Sequence, residues 1–365
     1  MSISLHDEAL TIISHLAEIG SRRASSPQEA TAAAFINGRL RRAGMGVTTH
    51  ALAVSPRRRR LYAAVAAAGI IAALTAIFLP LPALTLALAA TIILSLDAAR
   101  GPLAQIGPRH ASQSIVGTQA ITGGAGLAPR SPRWRVVILA PLDSPTVATG
   151  LSILAGPARP AALARSFSLA LVVLVALAEL LSPHRGWVLF VVPAAILLTL
   201  QLAAALRGPQ PAACDGNLGA LATLVLAAQR LRTLDHVEIW AAAVGAISLD
   251  PGGIDELLRI YPFEPARTLI ITLEQFNGEH LYYRINRRRG HQEIINLTNP
   301  TLAISADGRS RTEGVALIEP LRRSGMQTIS VYGRSDFSTH KDIALRSEQA
   351  ALLITAIVEQ LEDGE

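Results

Sequence analysis

Hydrophobic positions along this chain follow two regimes. From Leu61 to Leu96, and again from Ser166 to Leu206, apolar residues run on with scarcely a charge among them. Each block is broken once near its middle by a proline-bearing turn, LPLP at Leu79–Pro82 and SPHRG at Ser182–Gly186. A helix needs about 20 apolar residues to cross the hydrocarbon core, and roughly 17 at the least. Leu61–Leu79 and Trp187–Leu206 meet that length outright, whereas Ala83–Leu96 and Ser166–Leu181 must borrow flanking residues or tilt. The pattern therefore predicts two transmembrane helical hairpins, at residues 61–99 and 161–207. Proline turns between nearly charge-free segments suit membrane hairpins better than four buried helices of a soluble core.

Outside the hairpins the period changes. SPQEATAAAFINGRLRRAG reads as a helix, with Ser26 as its cap, Pro27 in its first turn, Glu29 completing a capping box and Gly44 ending it. Strand patterns start at Gly46 (GVTTHALAV), Ser112 (SQSIVGTQA) and Trp134 (WRVVILA). A helix follows Asp215, then the strand HVEIWAAAV from His236, the helix GIDELLRIY from Gly253, and the strand TLIITLE ending at Glu274. HLYYRINRRRGHQEIINL reads as a hairpin turning near Arg289–Gly290. GVALIEPLRRSG (helix), TISVYG (strand) and a long helix from Ser347 complete the pattern. Strands alternating with helices predict an α/β domain, with a mixed, largely parallel central sheet flanked by helices. It would be assembled from residues 1–60, 100–160 and 208–365, with the hairpins as interruptions. In such sheets functional groups gather beyond the carboxyl ends of the strands.

Composition supports the membrane expectation. Of 365 residues, 50% are hydrophobic and only 16% charged, too apolar a balance for an ordinary soluble enzyme. The net charge is +6, and Lys341 is the only lysine. The arginines crowd the edges of the apolar blocks: Arg57–Arg60, Arg100 and Arg109 around the first, Arg159, Arg165 and Arg207 around the second. That placement fits the lipid bilayer as partner and not nucleic acid. By the positive-inside rule, both termini and the segment between the hairpins face the cytoplasm. The expectation is a multi-pass protein of the cell membrane with a cytoplasmic α/β domain. MSISLHDEALTIISHL lacks the basic and apolar regions of a secretory signal. A single cysteine, Cys214, excludes an internal disulfide and a thiolate metal cluster.

Candidate chemistry lies at the predicted strand ends. The strand from Trp134 runs into LAPLDSP, bringing Asp143 and Ser144 to the sheet edge. Asp215, in ACDGNLGA, opens a helix; Glu274 ends a strand; His340, in SDFSTHKD, follows the last strand. Taken singly, each has a plain role: Asp215 as a helix cap, Asp143 as a turn former, Glu274 and His340 as solvated side chains, Cys214 as a small packed residue. Taken in order, together with SHLAEIGSRRASSPQEATAAAFINGRLRRAGMGV near the start and FSTHKD near the end, they resemble the M-28 family of co-catalytic zinc exopeptidases. The resemblance covers essentially the whole chain outside the apolar blocks.

What the resemblance implies is a zinc-aminopeptidase fold with an incomplete metal centre. In that family two zinc ions are held by the histidine of an HxDS strand end, a bridging aspartate in DNxSG, the second glutamate of a pair, a strand-end aspartate and a late histidine. The first glutamate of the pair is the general base. Here the first histidine falls on Pro141, which has no donor, while Asp143, which would orient that histidine, is kept. The bridging aspartate falls on Asp215, the strand-end carboxylate on Glu274 and the late histidine on His340. VGAISL, Val244–Leu249, where the glutamate pair belongs, holds no acid. A catalytic zinc site usually has three protein ligands and a water, and amide hydrolysis needs a base within reach of that water. The remnant Asp215, Glu274 and His340 would hold one weakly bound zinc at most, so no catalytic residue is assigned. The expected role is binding or scaffolding with a peptide or protein partner; a metallo-aminopeptidase with a rearranged or mononuclear site is the alternative. A transporter fits less well, because the four apolar segments hold almost no buried polar groups.

Overall fold

In a computed structural model of the chain, the structure describes residues 4–54, 57–100, 110–119, 132–147, 150–155, 159–182, 185–207, 210–211, 215, 217–231, 234–247, 252–276, 280–286, 304–306, 321, 324–333 and 339–363. The chain divides into two compact units. Unit 1 takes residues 1–54, 110–145 and 211–365, and unit 2 takes residues 55–109 and 146–210.

Unit 1 is built on eight strands: β1 (Gly46–Val54), β2 (His110–Gln119), β3 (Trp134–Pro141), β4 (Val237–Val244), β5 (Thr268–Leu273), β6 (Leu281–Asn286), β7 (Ile304–Ala306) and β8 (Gln327–Gly333). They form one sheet in the order β1-β2-β4-β3-β5-β8-β6-β7. β4, β3, β5 and β8 run parallel through the centre, and antiparallel pairs lie to either side of them. This is the mixed, largely parallel sheet that the sequence pattern predicts.

The centre is buried on both faces, which is why its strands read as unbroken apolar runs. Val136, Ile138 and Ala140 of β3 join one core with α1 (Leu5–Ile19), α2 (Pro27–Arg42), α7 (Asn217–Arg230) and α9 (His340–Asp363). Val137 and Leu139 point the other way, into a smaller core with α8 (Gly252–Ile260). The three-residue β7 is not signalled by the sequence. The last helix starts at His340, well before Ser347. Thr339 caps it, its backbone N–H donating to Asp342 Oδ2 while the Asp342 N–H donates to Thr339 Oγ1, a capping box that recruits the preceding residues into the helix. The turn near Arg289–Gly290 and all of GVALIEPLRRSG but Leu321, Ser324 and Gly325 lie outside the described residues, as does Cys214.

Unit 2 contains α3 (Arg57–Thr75), α4 (Pro80–Arg100), α5 (Arg159–Leu181) and α6 (Val188–Arg207). Among the described residues, three helices are long and apolar enough to cross a membrane, over Pro80–Asp97, Pro160–Leu181 and Leu189–Arg207. The first segment departs from expectation. Instead of spanning Leu61–Leu79 outright, α3 ends at Thr75, and its apolar part is the shorter Arg60–Thr75. The LPLP stretch is the cause. A proline fits the first turn of a helix, where its missing N–H is not needed, so Pro80 and Pro82 start and lengthen α4, while α3 ends at Thr75 and residues 76–79 form the turn between the two. α5 likewise gains length by beginning at Arg159.

The packing of unit 2 is inverted relative to a soluble core. Its interior is rich in small residues, including Ala66, Ala72, Ala87 and Ala194, while Leu74, Phe78, Leu163 and Leu189 are exposed. Every exposed large hydrophobic among the described residues belongs to unit 2 except Leu345. A Cβ on Gly69 would lie 2.9 Å from Leu198 Cδ1 and 3.0 Å from Leu169 Cδ2. Small residues that let helices approach this closely are characteristic of packing in lipid. The sequence expectation of almost no buried polar groups is corrected here: Asp97, Arg165, Ser168 and Gln201 are all buried. They lie on helices that are otherwise apolar.

Candidate functional site

The carboxyl end of β3 is where the sequence places its chemistry, and the side chains there are committed to one another. β3 ends at Pro141, which pairs with Val244 of β4. The backbone continues through Leu142 and Asp143 to Ser144, all buried. Ser144 and Arg22 brace each other through the main chain: the Arg22 N–H donates to Ser144 Oγ (2.9 Å), and the Ser144 N–H donates to the Arg22 carbonyl (2.8 Å). That brace carries the Arg22 side chain into the site, where it is 0% exposed.

Arg22 and Asp215 form the centre of this arrangement. Arg22 Nε donates to the Leu142 carbonyl (3.0 Å). Its Nη2 lies 2.9 Å from Asp215 Oδ2. The N–H direction there does not make a hydrogen bond, and neither terminal nitrogen has a hydrogen-bond partner; the contact is an ion pair held by charge. Asp215 Oδ2 also accepts from Ser144 Oγ (2.6 Å), and Oδ1 accepts from the Asn217 N–H (3.2 Å) at the start of α7. Asp215 thus performs the capping role its position suggests while pairing with a buried cation. Its side chain is 20% exposed, so the pair opens to solvent at the carboxylate.

Asp143 and Glu29 hold the neighbouring turn. Asn217 Nδ2 donates to the Asp143 carbonyl (2.7 Å), and Asp143 Oδ1 accepts from the Ile247 N–H (3.2 Å). Glu29 Oε1 accepts from Ser112 Oγ (2.8 Å) and the Ala246 N–H (3.2 Å), while Oε2 accepts from the Ser25 N–H. Ser25 (φ 65°) and Ala246 (φ 61°) are the non-glycine residues with positive φ among the described residues. One carboxylate therefore receives the N–H of both left-handed residues, each a conformation costing roughly 1–2 kcal/mol. Burial raises the Glu29 pKa above the ordinary carboxylate range, the Ser112, Ser25 and Ala246 hydrogen bonds pull it back, and the Asp143 charge pushes it up. Gly245 completes the turn, because a Cβ there would lie 2.3 Å from the Gln113 carbonyl.

Glu274 and His340 stand apart in environment. Glu274 follows β5, its N–H donating to the Val331 carbonyl (2.9 Å), and its side chain is buried with Oε1 lacking a hydrogen-bond partner. Burial pushes its pKa up to about 8, with Arg284 pulling the other way. It is not a solvated strand end. His340 is the exposed first residue of α9. Among the described residues, no three His, Cys, Asp or Glu side chains are grouped as a metal ion would require; Asp215, Glu274 and His340 are not brought together. The arrangement instead joins Asp215, Asp143 and Ser144 with Arg22, Glu29 and Asn217. Sequence gave Arg22 no signal, since SRRASS reads as a polar connection. Glu29 was visible only as a capping residue.

No family model matches the sequence, and no curated relative matches it. Solved structures do match the fold. A zinc aminopeptidase from Bacillus subtilis, BSAP, is 13% identical with a TM-score of 0.53, over 100% of this chain and 97% of that one. An aminopeptidase from Aneurinibacillus sp. strain AM-1 is 9% identical with a TM-score of 0.50, over 96% and 93%. At this identity the likeness speaks for architecture, and the chain has the mixed α/β fold of the zinc aminopeptidases.

Proposed function

We propose that the chain is a multi-pass membrane protein whose exopeptidase-like domain faces the cytoplasm and binds a peptide or protein partner without hydrolysing it. The Arg22–Asp215 ion pair carries this reading. A zinc ion bridged by Asp215 would have to share Oδ2 with the Ser144 hydroxyl and a guanidinium 2.9 Å away. Two cations in such proximity repel, and the guanidinium already balances the carboxylate. Pro141 offers no lone pair at the first histidine's position, and residues 244–247 supply no acid. The donor set therefore does not fit a co-catalytic zinc pair.

The membrane part of the proposal rests on three span-length helices and on large hydrophobics turned outward over a small-residue interior. Orientation rests on the arginines at the helix ends. Metal analysis of the purified full chain, with aminopeptidase assays of wild type and Asp215→Ala, tests the functional part. The expected result is no stoichiometric zinc and no turnover that Asp215→Ala removes. Bound zinc together with activity abolished by that substitution would instead establish a metallohydrolase.

A further inference from the structure

The four helices of unit 2 bring a one-sided charge to one end of the bundle. α3 and α4 are joined by a short turn, as are α5 and α6, so the start of α3 and end of α4, and the start of α5 and end of α6, lie away from those turns. Contacts show that these ends coincide. Arg165, early in α5, stacks its guanidinium 3.8 Å from the ring centroid of Tyr62, early in α3. Asp97, late in α4, lies near enough for its charge to act on Arg165. At this end the sequence places Arg57–Arg60, Arg100, Arg159, Arg165 and Arg207 against one acid, Asp97.

That acid does not neutralise the rim. Asp97 is 7% exposed and Arg165 is 2% exposed, so both lie inside the bundle and not on its rim. Arg60 and Arg207 are exposed, and residues 98–109, 146–160 and 207–214, which flank the helices at this end, hold no further acid. The result is an arginine-rich rim bordering an apolar surface. The residues are all arginine, whose planar fork binds phosphate oxygens bidentately as a lysine cannot. Single-stranded nucleic acid would want exposed stacking aromatics beside the cations; here Tyr62 is buried beneath Arg165, and Leu163 and Leu206 are exposed nearby in sequence.

We propose that this arginine rim binds the phosphates of anionic phospholipids in preference to zwitterionic ones. The proposal depends on unit 2 spanning a bilayer. It is tested on the full chain reconstituted into nanodiscs of phosphatidylcholine alone, or of phosphatidylcholine mixed with phosphatidylglycerol, with native mass spectrometry counting retained lipids. Retention of phosphatidylglycerol over phosphatidylcholine, weakening as salt is raised, is expected. Each arginine removed should lower that preference about fivefold, so Arg207→Gln should weaken it measurably and replacing Arg57–Arg60 with glutamine should abolish it. Equal retention of both lipids by wild type, or an undiminished preference in both variants, overturns the proposal while leaving the membrane assignment standing. A chain that stays soluble without detergent and retains neither lipid overturns both.

Discussion

Arg22 and Asp215 face each other 2.9 Å apart at the carboxyl end of β3, one fully buried and the other open on one side. The cation comes from the segment before α2 and the anion from the segment before α7, so the pair ties distant parts of unit 1 at the sheet edge. Removing one partner strands the other. Arg22→Ala should destabilise unit 1 by about 3–5 kcal/mol, the range for a broken buried ion pair. The joint change Arg22→Met with Asp215→Leu should cost clearly less than the two single changes summed. Urea unfolding of wild type, Arg22→Met, Asp215→Leu and the double variant checks this, with Arg22→Ala measured alongside; strict additivity would show that the two charges are not coupled.

Glu29 anchors two left-handed residues with one carboxylate. Glu29→Ala leaves the Ser25 and Ala246 N–H groups and the Ser112 hydroxyl without their acceptor, and should cost on the order of 2–3 kcal/mol. Glu29→Gln, which keeps one acceptor oxygen, should cost less. Gly245→Ala acts on the same turn through the Gln113 carbonyl 2.3 Å from the new methyl, at about 1–3 kcal/mol. Denaturant midpoints order the three variants.

The pH dependence follows from the raised pKa values of Glu29 and Glu274. A carboxyl with a raised folded-state pKa holds its proton more tightly folded than unfolded, so its contribution to stability is present in acid and is lost as pH rises. For Glu274 the window runs from 4.5 to about 8. Each unit crossed is worth at most about 1.4 kcal/mol. Glu274→Gln should flatten the stability profile across that window and leave the variant more stable than wild type above it. Thermal unfolding against pH measures this; a wild-type profile that rises through the window would contradict the assignment.

The exposed face of unit 2 makes a prediction in lipid. Leu174 is exposed on α5, and an arginine near the centre of a spanning helix costs roughly 2.5–3.5 kcal/mol in insertion. Leu174→Arg should reduce carbonate-resistant membrane retention. Leu345→Arg, at an exposed leucine of unit 1, should leave both retention and stability within about 0.5 kcal/mol of wild type. Equal behaviour of the two variants would count against a bilayer around unit 2.

Much of the scaffold was legible in the sequence because burial writes itself into period. β1 begins at Gly46 and β3 at Trp134 as the pattern indicates, and apolar runs of β3 and β5 mark strands covered on both faces. Local capping decided the boundaries that were misplaced: Thr339 and Asp342 draw His340 into α9, and Pro80 and Pro82 start α4, leaving residues 76–79 as the turn after α3. Site composition was legible only on one side. Asp143, Ser144 and Asp215 stand at strand and helix ends where chemistry is sought. Arg22 lies in SRRASS, and its burial depends on a brace to Ser144 that no local pattern announces. Glu29 carried a sufficient local explanation, its capping box, which hid its contacts with Ser112 and Ala246. Asp97 and Gln201 sit in apolar runs whose pattern does not show which face turns inward, and the bundle buries both.

The central claim is that the charge of Asp215 is met from within the chain. Thermal unfolding of the full-length protein with a chelator and then with excess zinc tests it directly, since a ligand that binds only the folded state raises the midpoint. The account predicts the same midpoint in both conditions, for wild type and for Asp215→Asn measured alongside. A zinc-dependent rise in wild type that Asp215→Asn removes would contradict it.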